Sequence, residues 1–296
     1  MLTLEHRRFT EFCDACRRYG YIGLCFGAPG VGKTLSARSY SRADELKQSD
    51  RWGTDPIEGP TLDTVLYTPS VVNAPNDIDA DIRRHRETLK DLASRPLRRE
   101  KEAALKSMQR RDKRHRAQLL TTHDWLSGPS PRLRPSYEDV ARQYIAKELQ
   151  LRDPTTLIVV DEADRLRMAS LEQVRAIFDA GAIGLLLIGM PGLEKRLARY
   201  PQFYSRIGFV HEFRPLGAVE IRRLMEQRWV PPGVQLPAQP LDAETIAVII
   251  RITGGNFRLL NRLLTQPERI LEVNALRQVT KAVVEAARES LVIGQV

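Results

Sequence analysis

The sequence predicts an α/β fold, a doubly wound parallel sheet followed by a small helical domain. Three observations predict it. Short apolar runs without alternation, such as Leu157-Ile-Val-Val160, suit strands buried on both faces. Helical patterns lie between those runs, the order that builds a parallel sheet. A glycine-rich turn, Gly27 to Lys33, joins the first run to a helix.

In chain order, Phe9, Phe12, Cys13 and Cys16 fall at helical spacing, and Tyr21 to Phe26 reads as the first strand. Thr64 to Tyr67 is the second strand, Leu157 to Val160 the third, Gly184 to Ile188 the fourth and Val210 to Phe213 a weaker fifth. A helix begins near Leu171 with Val174, Ile177 and Phe178 on one face, and Ser170 with Gln173 reads as a capping box at its start. After about Pro215 only helical patterns remain, at 217–228, 242–252, 256–273 and 280–292, with Pro-rich joints at Pro231-Pro232-Gly233 and Pro237 to Pro240. The expected division is therefore an α/β core over 1–215 and a helical domain over 216–296. Thr68 to Thr155, between the second and third strands, is far longer than an ordinary crossover, so the core carries an insertion at about 77–135. In it a basic segment is broken at Pro96, and Gly128-Pro-Ser-Pro131 and Pro135 precede a helix from Ser136 to Leu149.

The 296 residues are enough for roughly two domains. No apolar run approaches the ~20 residues of a bilayer span, the richest being Ile183 to Ile188. Met1 to Gly20 is charged throughout, and three cysteines make no disulfide scaffold, so the expected location is the cytoplasm, with no membrane partner. The net charge of +9 is local: Ile82 to Ala117 holds 14 Lys and Arg against 5 acids, while the rest is balanced at 32 against 32. Two readings of that stretch stand open, an exposed helical insertion or a surface that tracks a phosphate backbone. No Phe, Tyr or Trp interleaves it for base stacking.

Gly27-Ala-Pro-Gly-Val-Gly-Lys33-Thr34 satisfies G-x-x-x-x-G-K-[ST] between a strand and a helix, the context this phosphate-binding motif requires. Its backbone amides and the helix start face an anion. The candidate cofactor residues are thus Gly27, Pro29, Gly30, Val31, Gly32, Lys33, Thr34 and Leu35, with Lys33 for the β- and γ-phosphates and the Thr34 hydroxyl for Mg²⁺. Asp161 and Glu162 follow the third strand directly, where ligands of open α/β sheets sit. Asp161 suits Mg²⁺, and Glu162 suits polarising an attacking water. Asn256 reads as the cap of a helix whose first turn carries Arg258. A cation there opposes the helix dipole, so an external anion such as a γ-phosphate explains Arg258 better than the helix does. Arg206 stands just before the fifth strand. Cys13-Asp-Ala-Cys16 lacks a second pair and reads as packing, and the five histidines, His123 among them, show no ligand spacing, so no metal beyond Mg²⁺ is assigned.

Taken in order, the phosphate loop, Leu157 to Glu162, Ser205-Arg206 and Gly254-Gly255-Asn256-Phe257-Arg258 resemble an AAA+ ATPase. More narrowly, Gly27 to Arg38, Ile188 to Tyr200 and Thr253 to Leu264 are similar to the bacterial transposition regulators of the Mu B, TniB and TnsC kind, over most of 1–75 and 135–296. The resemblance implies a P-loop NTPase fold with a helical lid, ATP as cofactor, and a homo-oligomeric ring or helical filament on double-stranded DNA. It also implies a transposase partner, with a targeting adaptor protein, and disassembly on hydrolysis. By position, Lys33 and Thr34 match Walker A, Asp161 and Glu162 match Walker B, Arg258 matches sensor 2, and Arg206 matches the arginine finger given to a neighbouring subunit, with Arg196 and Arg199 nearby. Ile188 is followed by Gly189-Met190-Pro191 rather than a polar sensor 1 residue, which implies slow or partner-stimulated hydrolysis. DNA contacts in such assemblies come from loops after strands, here Asn76 to Arg86, with Asn76, Arg83, Arg84 and Arg86 as candidates. A helicase loader and a regulatory NTPase acting on a protein partner are the competing readings. The helical domain and Arg206 argue against a small-molecule kinase.

Overall fold

The computed structural model describes residues 3–52, 62–121, 136–237 and 239–291. His123, the Gly128 to Pro135 turn, the last part of the expected insertion and Val292 lie outside the described residues. The chain forms two compact units, one of residues 1–43, 66–79 and 156–296 and the other of residues 44–65 and 80–155.

The larger unit holds the sheet. Helix α1 (Leu4–Tyr19) leads into β1 (Ile22–Phe26), the glycine-rich turn and α2 (Lys33–Tyr40). Next in the chain come α3 (Ala43–Trp52), the strand β2 (Thr64–Tyr67), α4 (Pro75–Thr121) and α5 (Tyr137–Leu149). Then β3 (Leu157–Val160), a 3-10 turn (Ala163–Arg165), α6 (Met168–Asp179), β4 (Gly184–Gly189), α7 (Leu193–Leu197), α8 (Pro201–Tyr204) and β5 (Ile207–Glu212) complete it. The strand order is β2-β3-β4-β1-β5, and β1 runs parallel to both β4 and β5. All residues of β3 and β4 are buried, which is why their sequences carry no alternation. Leu185, Leu186, Leu187 and Ile188 are at most 1% exposed, and each such side chain stabilises the fold by roughly 1.5–3 kcal/mol. The face of α1 that carries Phe9, Phe12, Cys13 and Cys16 joins this core, so the C-x-x-C pair packs and its thiols, like Cys25, are free and buried.

Four expectations are corrected. The fifth strand begins at Ile207 rather than Val210; being an edge strand, it half-buries alternate residues and exposes the others instead of burying a continuous run. Helix α6 begins at Met168 with Arg167 at its cap, so Ser170 is no cap: it is buried in the first turn and its hydroxyl donates to the Asn73 carbonyl at 3.4 Å. The pattern over 256–273 is two helices, because Pro267 cannot continue the first and opens the second. Helix α4 runs through Pro96. The rung that proline removes is bridged by side chains, with Arg98 bonded to Asp91 at 2.7 Å and Glu148 at 2.7 Å and Arg95 to Ser49 at 2.9 Å.

The chain after β5 adds α9 (Ala218–Glu226), α10 (Ala243–Thr253), α11 (Phe257–Leu264), α12 (Pro267–Val273) and α13 (Lys281–Glu289). They close on their own apolar cluster around Ile221, Ile249, Leu260, Leu263 and Val284. In the second unit α5 lies antiparallel to the distal part of α4, with Tyr137 donating to Asp112 at 2.8 Å and Arg98 reaching Glu148 at the other end. Among the described residues no helix is long and apolar enough to cross a membrane.

Candidate functional site

The turn after β1 is shaped by its glycines. Gly30 has φ +80 and Gly32 φ +114, backbone that L side chains resist, and a Cβ on Gly30 would lie 2.5 Å from Asn256 Oδ1. Four successive carbonyls of this turn accept hydrogen bonds. Lys33 Nζ donates to Gly27 at 2.5 Å and Ala28 at 2.9 Å. Asn256 Nδ2 donates to Pro29 at 2.9 Å, and the Arg258 amide donates to Gly30 at 2.9 Å. The start of α11 is therefore docked directly on the turn. Burial lowers the pKa of the Lys33 ammonium, with the loss of solvation outweighing Asp161 and Asp164.

Asp161 directly follows β3 and is 3% exposed. Its amide donates to the Tyr67 carbonyl at 2.8 Å, and its Oδ1 accepts from the Glu162 amide at 2.9 Å. Glu162 sits in left-handed backbone at φ 53, a conformation a non-glycine residue holds only when its surroundings impose it. Its carboxylate pairs with Arg165, whose Nη1 donates to the Pro69 carbonyl at 3.2 Å in the loop after β2. The Arg165 carbonyl in turn accepts from Asn73 of that loop at 3.2 Å. Asp164 accepts from the Met190 amide at 2.7 Å. Arg196 is bonded to the Asp164 and Leu166 carbonyls, which makes it a brace for this turn.

These groups surround one cavity of about 880 Å³. Pro29, Gly30, Gly32, Lys33, Thr34 and Leu35 form one wall, and Asp161, Glu162, Asp164 and Arg165 another. Trp229, in the joint after α9, and Phe257, Arg258 and Asn261 of α11 reach it from the chain after β5, and the Trp229 and Phe257 rings are 5.3 Å apart. So the structure brings together Pro29, Gly30, Gly32, Lys33, Thr34, Leu35, Asp161, Glu162 and Arg258. Gly27 takes part through its carbonyl, and Val31 points into the core at 3% exposure. Arg206 is elsewhere: it precedes β5, whereas the turn follows the end of the parallel neighbour β1, so it lies at the opposite end of the sheet. There it pairs with Asp179 at 2.7 Å. Asn76 to Arg86 are not a loop but the first turns of α4, with Arg84 on Asp81 at 3.1 Å and Arg86 on Asp153 at 2.6 Å.

Sequence reasoning missed Asp164, Met190, Trp229, Phe257 and Asn261. Asp164 carried a signal, as the third acid in four residues after a buried strand. Met190 enters because it directly follows β4, where its amide is tied to Asp164, and Trp229, Phe257 and Asn261 are placed by the packing of the chain after β5. Among the described residues no three His, Cys, Asp or Glu converge as a metal centre. A cation held mainly by ligand phosphates needs only one or two protein oxygens, and the Thr34 hydroxyl and Asp161 carboxylate, both on this cavity, supply them.

The model of the AAA domain family matches residues 16–197. A Staphylococcus aureus protein described as a potential ATP-binding protein is 38% identical over 295 residues, covering 99% of this chain and 96% of its own. Two solved structures share the fold. The Thermotoga maritima RuvB Holliday junction branch migration motor has a TM-score of 0.51 at 16% identity, covering 98% of this chain and 69% of that one. Aeropyrum pernix ORC2, in its ADPNP-ADP complexes, has a TM-score of 0.53 at 14% identity, covering 99% and 68%. The chain spans 60% to 69% of the lengths of such structures.

Proposed function

The chain belongs to the AAA domain family, and on that premise we propose that it is an ATP-dependent, double-stranded-DNA-binding ATPase that regulates transposition in the cytoplasm. In this reading it assembles as a ring or helical filament on target DNA, recruits or activates a transposase with a targeting adaptor, and disassembles on hydrolysis. The observation that carries the reading is the convergence on one cavity of the phosphate loop, the acids after β3 and Arg258.

ATP binding begins with the loop amides and Lys33, whose ammonium exchanges the Gly27 and Ala28 carbonyls for phosphate oxygens. Thr34 and Asp161 would hold Mg²⁺, which would supply charge neutralisation for the phosphates when bound. Glu162 orients a water against the γ-phosphorus and accepts its proton as the bond to the β-phosphate oxygen breaks, releasing ADP and phosphate. Arg258 meets the charge on the γ-phosphate from the lid, residues 216–296. Arg206, at the far end of the sheet of the core, residues 1–215, serves the site of a neighbouring subunit. Half the site then comes from the next copy, which makes assembly part of catalysis. DNA is met by α4, with Asn76, Arg83, Arg84 and Arg86 on its proximal turns.

Fluorescence anisotropy of a random-sequence duplex, titrated in ATP, in a non-hydrolysable analogue and in ADP at two salt concentrations, tests this. The expected result is binding confined to the triphosphate states, weakening steeply with salt and lost in Lys33→Ala. Equal binding in all three states, or none, rejects nucleotide-gated DNA binding.

A further inference from the structure

The two halves of the basic helix α4 differ in how their charges are used. On the proximal half, Arg84, Arg86, Arg95 and Arg98 are taken by Asp81, Asp153, Asp91 and Glu148. On the distal half, Arg99, Arg110, Lys113 and Arg114 are exposed and have no ion-pair partner among the described residues. At about 100° per residue those four fall within an arc of about 100°, on one face of the helix. Of the acids nearby, Glu102 is taken by Lys106 at 2.5 Å, Asp112 falls on the other side of the helix, where it accepts from Tyr137 at 2.8 Å, and Glu100 falls outside the arc.

We propose that this distal face lies along the phosphate backbone of duplex DNA and carries more of the contact than the proximal turns; the inference rests on the DNA-binding reading above. The face from Arg99 to Arg114 is about 22 Å long at about 1.5 Å per residue. That is the axial length of about six phosphates of one strand at about 3.4 Å each. It holds no aromatic side chain, whereas the centre of a protein–protein interface is built on buried aromatic anchors and is poor in lysine. Four cations spread over a span of about six phosphates suit the backbone, and phosphate contacts carry no sequence information, so the contact is indifferent to sequence.

The test compares Arg99→Gln/Arg110→Gln/Lys113→Gln/Arg114→Gln with Arg84→Gln/Arg86→Gln in the full chain. Random-sequence duplex is titrated in ATP between about 50 and 200 mM salt, and each lost phosphate contact makes the slope of log K against log[salt] shallower by about 0.9. The distal variant is expected to lose about 3 to 4 in slope, the proximal variant less than half of that, with basal ATP turnover retained by the distal one. A distal variant with the wild-type slope, or a larger loss in the proximal one, overturns the inference while leaving DNA binding intact. A wild-type chain that binds no duplex overturns the DNA reading and this inference with it. A distal variant that loses binding to phosphatidylserine vesicles but keeps DNA assigns the face to a membrane and overturns it too. Glutamine is nearly as good a helix former as arginine. Should circular dichroism still report lost helix, the single variants Arg110→Gln and Lys113→Gln are expected to read one step of about 0.9 each, and the absence of any step is the negative result.

Discussion

Asn256 bonds the phosphate loop and its own helix with one side chain. Its Oδ1 accepts from the Leu259 amide at 3.1 Å, capping α11, while its Nδ2 donates to the Pro29 carbonyl at 2.9 Å. A movement of the loop is thereby a movement of the helix that carries Arg258. Serine and aspartate cap helices about as well as asparagine, but neither replaces the donor to Pro29. Asn256→Ser and Asn256→Asp are expected to keep the thermal midpoint and to weaken ATP binding about two- to tenfold, the worth of one net hydrogen bond of about 0.5–1.5 kcal/mol. Calorimetric titration checks it. Loss in the aspartate variant alone points to charge near the phosphates rather than to the lost donor.

Glu162 is held by Arg165, so its carboxylate must leave that guanidinium before it can turn to a water in the cavity. Arg165→Ala is expected to raise basal ATP turnover severalfold with little change in KM. Glu162→Gln is expected to keep ATP binding and lose on the order of 100-fold in turnover. Steady-state phosphate release decides both, and an unchanged rate in Glu162→Gln removes the residue from catalysis.

His211 lies against Phe12, with its Nε2 3.0 Å from Glu5 Oε1. Burial lowers its pKa below the ordinary 6.5, against the pull of Glu5 and with help from Arg8 and Arg214. The unfolded chain therefore takes up a proton more readily than the folded one, so the stabilisation is present above about pH 6.5 and is lost as pH falls through the folded pKa. The thermal midpoint is expected to fall more steeply below pH 6.5 in the wild type than in His211→Gln. Parallel curves reject the assignment.

The three thiols are expected to be inert in the folded protein. Burial pushes Cys16 up to about 12 and raises Cys13 and Cys25 as well, and only a thiolate attacks a disulfide reagent. A chromogenic disulfide at mildly alkaline pH should report no reaction until denaturant is added, and three thiols after it. A fast native reaction at Cys13 or Cys16 reopens a redox role for the C-x-x-C pair.

What the sequence revealed was set by how local each signal is. Runs such as Leu157 to Val160 and the turn from Gly27 to Thr34 state their structure within a few residues, and both stand where expected. The start of β5 was missed because an edge strand half-buries alternate residues and exposes the rest. The continuity of α4 through Pro96 was missed because its bridges come from Ser49 and Glu148, distant in sequence. The site divides in the same way. Lys33, Thr34, Asp161 and Glu162 belong to motifs with fixed spacing, whereas the bond of Asn256 to Pro29 joins residues 227 positions apart.

Gly189 and Asp164 occupy each other's room. A Cβ on Gly189 would lie 2.5 Å from Leu193 Cδ2 and 2.7 Å from Asp164 Oδ2, the same oxygen that accepts from the Met190 amide at 2.7 Å. The three positions consequently make up a single inherited choice. A descendant of this gene that acquires a side chain at 189 must turn or shorten residues 164 and 193 together, and turning Asp164 gives up its bond to the Met190 amide. The three should thus covary as a block when homologous chains are compared.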